Sequence, residues 1–332
     1  MRIGIIGAGK VGTTLGKYLS ERGVPIAGYY SRTVESAAQA AEFTGTKVFE
    51  DLETLTEASD TLFITTPDGE IGKVWDCIAG KKLSGKLIYH FSGSLSSRVF
   101  SGIENTGAAG ASVHPMYAFS DKFTSYLKFH TAYFVAEGQE KALEEFQKLF
   151  GAAFGHTILT IKAEDKMKYH AAAALASNAM LALFYESQML LSECGFSEEE
   201  SRALFTPLVK NNVEAMLAQG AVPAMTGPVE RNDVETVKEH LRAICKEADL
   251  EKRFSKEVVS EHTHAIHREG ALEERGMESE VSVQKERDLV KEDTDEIYQS
   301  YLALSSTLVK MAEKKHPDRD YTALKEILKD IS

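Results

Sequence analysis

The sequence predicts an α/β protein, with a doubly wound, mostly parallel sheet followed by an all-α part. Three observations carry this expectation. A short apolar run, Ile3, Ile5 and Ile6, leads straight into Gly7-Ala8-Gly9-Lys10-Val11-Gly12. Strand and helix patterns then alternate to about residue 155, as they do in sheets covered by helices on both faces. After a last short strand, His156 to Ile161, the pattern turns helical and stays so. The expected organisation is one domain over 1–155 and a helical substrate or dimerisation domain over 156–332.

The first element sets the rest. An apolar run of this length suits a strand buried on both faces. The glycine turn has the G-x-G-x-x-G spacing. Gly7 makes the turn, Gly9 lets a pyrophosphate come close to the backbone, and Gly12 lets the next helix pack on the strand. The free N–H groups of that helix, opening at Lys10 and Val11, are suited to phosphate. Gly7, Ala8, Gly9, Lys10, Val11 and Gly12 are therefore assigned to a dinucleotide; the alternative is a glycine-rich turn with no ligand.

The second strand, Pro25 to Ser31, ends where an NAD site places an acidic residue, about twenty residues past the glycines. Here that place holds Ser31-Arg32-Thr33. No carboxylate repels a 2′-phosphate, and the Arg32 guanidinium can fork onto one with the hydroxyls of Ser31 and Thr33 beside it. This favours NADP(H) over NAD(H); the alternative is a solvated loop arginine. A helix over Val34 to Phe43 and a short strand at Val48 and Phe49 follow. Asp60 to Pro67 reads as a buried strand ending in Thr65-Thr66-Pro67, which places Thr66 and Pro67 at the ligand edge of the sheet. Ile71 to Ile78 is a helix, Lys86 to Phe91 a strand, Thr131 to Val135 a strand and Lys141 to Phe150 a helix.

Two strand ends carry candidate chemistry. Ser92 follows one strand; His114, in His114-Pro115-Met116-Tyr117, follows another. A histidine can hold or release a proton near neutral pH, as interconversion of hydroxyl and carbonyl requires. Ser92 can bond the reacting oxygen or position His114. The alternatives are a turn-capping histidine and a Ser-Gly turn. His90 points to the other face of its strand or into it.

Ala163 to Glu193 reads as one long apolar helix stopped at Gly195. Within it Lys166, His170, Ala174 and Asn178 recur every four residues, which sets them along one stripe. His170 and Asn178 are site candidates, with Lys166 and Lys168 behind them; the alternative is a solvated lysine, a loop-capping histidine and a helix-pairing asparagine. Ser197 to Glu200 forms a capping box. Arg231, in Thr226-Gly227-Pro228-Val229-Glu230-Arg231-Asn232-Asp233, is a candidate clamp for a substrate carboxylate, and Asp233 orients it or caps the next helix. Residues 246–293 are dense in Glu and Lys and read as a charged insert. His262, His264 and His267 lie inside it, without a fixed metal-ligand pattern.

The bulk numbers narrow the function. The 332-residue chain is 43% hydrophobic with a net charge of −12, which argues against nucleic acid or an anionic membrane as main partner. Three scattered cysteines, Cys77, Cys194 and Cys245, give no disulfide framework or zinc spacing and fit a reducing cytoplasm. The first residues already belong to a fold element, so no signal peptide is expected. Ala171 to Phe184 is too short to span a bilayer.

The motif order GAGKVG, YYSR, ITTPD, HFSGS, VHPM, YHAAAALASN and TGPVERND resembles a family that joins a Rossmann-like NADP-binding domain to a helical domain of unknown function. It is similar to the wider group of ketopantoate reductases, hydroxyacid dehydrogenases, pyrroline-carboxylate reductases and prephenate dehydrogenases. The resemblance implies an NADP(H)-dependent oxidoreductase. In prephenate dehydrogenases a histidine in an HP turn faces the substrate hydroxyl and a serine on a strand end assists, which His114 and Ser92 match in kind. Hydroxyacid dehydrogenases carry a lysine and an asparagine four apart; here His170 and Asn178 stand eight apart, which speaks against a lysine acid. The expectation is reduction of a small carboxylate-bearing carbonyl compound, ketopantoate reductase-like, with His114 moving the proton, Ser92 and Asn178 holding the oxygen, His170 second acid/base and Arg231 the anchor. The alternatives are a prephenate dehydrogenase-like reaction or a non-catalytic NADP(H) sensor. No metal is assigned, and a homodimer is expected.

Overall fold

A computed structural model describes residues 1–244 and 278–329. In chain order they form β1 (Ile3–Ile6), α1 (Lys10–Ser20), β2 (Ile26–Tyr30), α2 (Val34–Thr44), α3 (Leu52–Glu57), β3 (Thr61–Ile64), α4 (Asp68–Ile78), β4 (Leu87–His90), β5 (Ala109–Met116), β6 (Tyr133–Gly138), α5 (Glu140–Phe146) and β7 (Ile158–Thr160). After these come α6 (Lys166–Ala174), α7 (Met180–Glu193), α8 (Glu198–Gln219), α9 (Ala221–Ala224), α10 (Pro228–Arg231), α11 (Val234–Ile244), α12 (Glu278–Lys315) and α13 (Thr322–Lys329). Up to residue 277, the charged insert and its histidine run lie outside the described residues.

Seven strands form one sheet in the order β2-β1-β3-β4-β5-β6-β7. The first five are parallel, β6 is antiparallel to β5, and β7 is parallel to β6. The expected strand at Val48 is a single bridge to Tyr29. Alternation along each strand feeds two cores. Phe63 and Tyr89 face one, with Leu15, Tyr18, Phe134 and Phe150. Leu62, Ile64 and Ile88 face the other, with Ile71, Trp75 and Phe100. Full burial of such a side chain contributes about 1.5–3 kcal/mol, so both faces hold the sheet.

Register places the site. Ile6, Ile64, His90 and Ser112 stand side by side across four parallel strands. The glycine turn, Thr65-Thr66-Pro67 and Ser92-Gly93 therefore leave the sheet along one edge, where His114 lies two residues past Ser112 on β5.

Two expectations need correction. The chain divides into compact units at Met180/Leu181, not at 155/156, because β7 completes the sheet and α6 belongs with it. The long helix is also not uniform. A π-helical turn over Leu175–Ala179 separates α6 from α7. Such a turn closes on i→i+5 bonds and breaks the 3.6-residue phase. The second unit has its own core, with Val229, Val237 and Leu241 packed against Tyr298, Leu302 and Leu324. No described helix is long and apolar enough to cross a membrane.

Candidate active site

The glycine turn is built as its spacing demands. Gly7 has φ +105°, and a Cβ there would meet the Thr65 carbonyl carbon at 2.8 Å. A Cβ on Gly12 would run into Gly7 O and Thr65 Oγ1. A Cβ on Gly9 would meet nothing within 4 Å, so that face is open. Thr65 Oγ1 donates to Gly7 O at 2.8 Å and ties β3 to the turn. No side chain caps the N-terminus of α1, where Lys10 is the first helical residue, and Lys10 is exposed and Val11 half-buried. Ala8 is buried and its carbonyl accepts from Ser36 Oγ at 3.1 Å. Thr66 Oγ1 is buried without a partner, and Pro67 is the exposed residue before α4. Ser31, Arg32 and Thr33 lead into α2, with Arg32 exposed. Open space over Gly9, free N–H groups and an exposed guanidinium fit a phosphorylated dinucleotide.

Beside it, β4, β5 and α6 gather a second cluster. His114 lies inside β5, paired with Val135, and so is a strand residue rather than a turn cap. Its Nδ1 is 2.7 Å from the Tyr169 hydroxyl. Its ring stands edge-on to His170, with centroids 6.0 Å apart. Gly93 sits between the two: a Cβ there would lie 2.5 Å from His170 Nδ1 and 3.0 Å from His114 Nε2. Lys166 is 1% exposed, and its Nζ has no hydrogen-bond partner; His170 Nδ1 and His90 Nε2 are likewise buried and unpartnered.

Burial sets the protonation states. It pushes His114 down to about 4, helped by the Lys166 and His170 charges and opposed by Asp68. His90 is pushed to about 4 by burial and then by Lys166. Burial lowers Lys166 to about 8, with the Glu137 and Asp68 carboxylates pulling the other way. Burial also raises Tyr169 to about 12. At neutral pH His114 and His90 are thus neutral, beside a protonated phenol and an ammonium near its own titration point.

The predicted residues separate. Ser92, His114 and His170 come together. Ser92, however, is fully engaged: its hydroxyl donates to Asp68 Oδ2 at 2.8 Å and accepts from Ser94 N–H at 3.1 Å and Leu95 N–H at 2.9 Å. A hydroxyl has one donor and two acceptor sites, so Ser92 organises the 92–95 loop instead of holding a substrate oxygen. Asn178 lies exposed in the π-helical turn, and no described contact joins it to the cluster. Arg231 is exposed at the end of α10 in the second unit, and Asp233 caps α11 by accepting from Thr236 N–H and Oγ–H. Lys166, ranked behind His170 on sequence, is as central as His170. Gly93, Tyr169 and Asp68 lie within the HFSGS, YHAAAALASN and ITTPD motifs, yet their place in the site depends on packing that the motifs do not show. Among the described residues no group of three or more His, Cys, Asp or Glu could hold a metal.

Two family models match the chain, and the second of them crosses the Met180/Leu181 boundary. A Rossmann-like domain matches residues 1–115. The domain of unknown function DUF2520 matches residues 132–262. No curated protein sequence matches the chain. Among solved structures, protein TM1727 from Thermotoga maritima is 28% identical over 75% of this chain and 90% of that chain, with a TM-score of 0.57. BF3122 from Bacteroides fragilis, provisionally named an NADP oxidoreductase, is 23% identical over 76% of this chain and 93% of that one, with a TM-score of 0.61. An imine reductase from Pseudomonas sp. is 16% identical over 76% of this chain and 91% of that one, with a TM-score of 0.54. The chain is thus similar to Rossmann-like domains over residues 1–115 and to DUF2520 over residues 132–262.

Proposed function

We propose that the protein is an NADP(H)-dependent oxidoreductase acting on a small, carboxylate-bearing carbonyl or hydroxyl compound. The observation that carries this reading is the placement of His114, Tyr169, His170 and Lys166 on the sheet edge that also bears the open glycine turn. The names of the structural neighbours, NADP oxidoreductase and imine reductase, agree with a nicotinamide reaction. When bound, the dinucleotide supplies or receives hydride. Ala8, Lys10 and Val11 offer backbone N–H groups to its phosphates, while Ser31, Arg32 and Thr33 take the 2′-phosphate.

The chain's own residues handle the proton. His114 Nε2 and His170 Nδ1 converge above Gly93 and hold the reacting oxygen there. Tyr169 O–H donates to His114 Nδ1, which leaves the ring proton on Nε2, facing the oxygen. In the reductive direction Nε2–H passes to the oxygen as Nδ1 takes the Tyr169 proton. Lys166, whose buried ammonium is close to losing its proton, restores the balance. A second copy of the chain is the expected partner.

The experiment is turnover. Purified protein with NADPH is offered 2-oxo acids and, because of the imine reductase neighbour, cyclic imines. Oxidation of NADPH by at least one compound is expected. Tight NADPH binding with no turnover on any compound would replace this reading with the sensor.

A further inference from the structure

Lys122 stands beside the adenosine end of the dinucleotide edge, far from it in sequence. The turn that carries it is rigid. Asp121 Oδ1 accepts from Phe123 N–H at 2.9 Å, Thr124 N–H at 2.8 Å and Thr124 Oγ–H at 2.9 Å. The Phe123 ring stands edge-on to Phe43 of α2, with centroids 5.1 Å apart. The turn that carries Lys122 is thus held together by Asp121 and set against α2 through Phe123.

Its ammonium ends at the first turns of that helix. It lies 3.2 Å from Gln39 Oε1, 3.4 Å from Ser36 Oγ and 3.5 Å from Ser36 O. All three oxygens are neutral and the contacts are long. No described carboxylate forms an ion pair with this half-buried amine, and burial lowers its pKa. A cation near a helix N-terminus is also opposed by the helix dipole. The Phe123 ring, 5.3 Å from the ammonium to its centre, offers only a weak cation–π contact, so no negative charge offsets the ammonium where it stands. Ser36 Oγ, in turn, donates to Ala8 O of the glycine turn. One short chain of contacts thus joins the ammonium, the start of α2 and the turn, and Arg32 and Thr33 immediately precede that helix. A phosphate there would supply the missing negative charge and accept from Lys122 and Arg32 together.

We propose that Lys122 is a second cation for the 2′-phosphate of the dinucleotide, acting with Arg32 to select NADPH over NADH. This rests on the NADP(H) reading above, and one measurement separates the two. Calorimetric titration of the full chain with NADPH and with NADH compares wild type, Lys122→Ala and Lys122→Arg. Wild type should prefer NADPH. Lys122→Ala should weaken NADPH about tenfold or more, as loss of a charge-assisted contact does, and leave NADH within about twofold. Lys122→Arg should restore most of the NADPH affinity. Equal weakening of both dinucleotides, or no weakening of NADPH, overturns the assignment of Lys122 while wild-type preference keeps the NADP(H) reading. A wild type that binds both alike overturns both.

Discussion

His114 and Tyr169 are coupled through a 2.7 Å contact between the ring Nδ1 and the phenolic oxygen, and the other ring nitrogen turns toward Gly93. A strand residue and a helix residue 55 positions apart thereby fix the direction of one imidazole. The space in front of that imidazole exists because position 93 has no side chain.

Gly93→Ala tests that geometry directly. The added methyl would stand 2.5 Å from His170 Nδ1 and 3.0 Å from His114 Nε2, so both rings must move. Displacement by about 1 Å can cost on the order of 100-fold in rate. The expected result is a loss of that size in kcat/KM, with NADPH affinity unchanged because the glycine turn is untouched. An alanine variant that keeps its turnover would show that the reacting oxygen does not sit above Gly93.

The pH profile tests Lys166. Its ammonium is lowered to about 8 by burial, so the proton-bearing form is lost as pH rises through 8. Carbonyl reduction should fall above about pH 8, and oxidation of the corresponding hydroxyl compound should rise. Lys166→Met should remove this limb and lower the plateau by about 100-fold or more, the usual range for general acid–base catalysis. A limb near pH 8 that survives in Lys166→Met would assign it to another group.

Legibility in the sequence followed locality. β1 and its glycine turn were readable because the strand, the turn and the helix start are contiguous, although what crowds Gly7 and Gly12 includes Thr65, more than fifty residues away. His114 was readable as a candidate by its place after a strand pattern, although β5 runs on through it to Met116. The π-helical turn at Leu175–Ala179 was not legible, because the periodicity assumes an unbroken 3.6-residue helix. Lys166 and His170 precede that turn and keep their common face. Ser92 was recognised as belonging to the site, but its bond to Asp68 depends on the packing of two strand ends 24 residues apart. The same is true of Lys122 and Ser36, which no spacing rule connects.

Acid stability follows from the buried histidines. His90 is 0% exposed, and its pKa falls to about 4 in the folded chain, against about 6.5 for an unperturbed histidine. Between these values the unfolded chain binds the extra proton and the folded chain does not. The stability associated with neutral His90 is therefore full above pH 6.5 and is lost as pH falls toward 4. His114 is shifted the same way and adds to the slope. Urea unfolding at pH 7 and at pH 4.5 should show a clear drop for wild type and a smaller one for His90→Leu, even if that variant is less stable at pH 7. An identical drop in both proteins would assign the acid sensitivity elsewhere.

The helices of the second unit make the last prediction. α7 buries no residue, and α8, 22 residues long, buries only Ser201. Leu181, Tyr185, Leu204, Leu208 and Leu217 are all more than half exposed. Isolated helices of this length owe most of their stability to packing, and single chains rarely leave so much contiguous apolar surface in water. A second copy presents the same apolar faces and can cover them reciprocally, with about 800 Å² per partner being typical of a stable interface. Light scattering on the purified chain should give twice its 36.6 kDa mass. Replacing Leu204 and Leu208 together by Glu should shift that mass to a single chain and lower the helix content, whereas a wild type that runs as a monomer at micromolar concentration rules the pairing out.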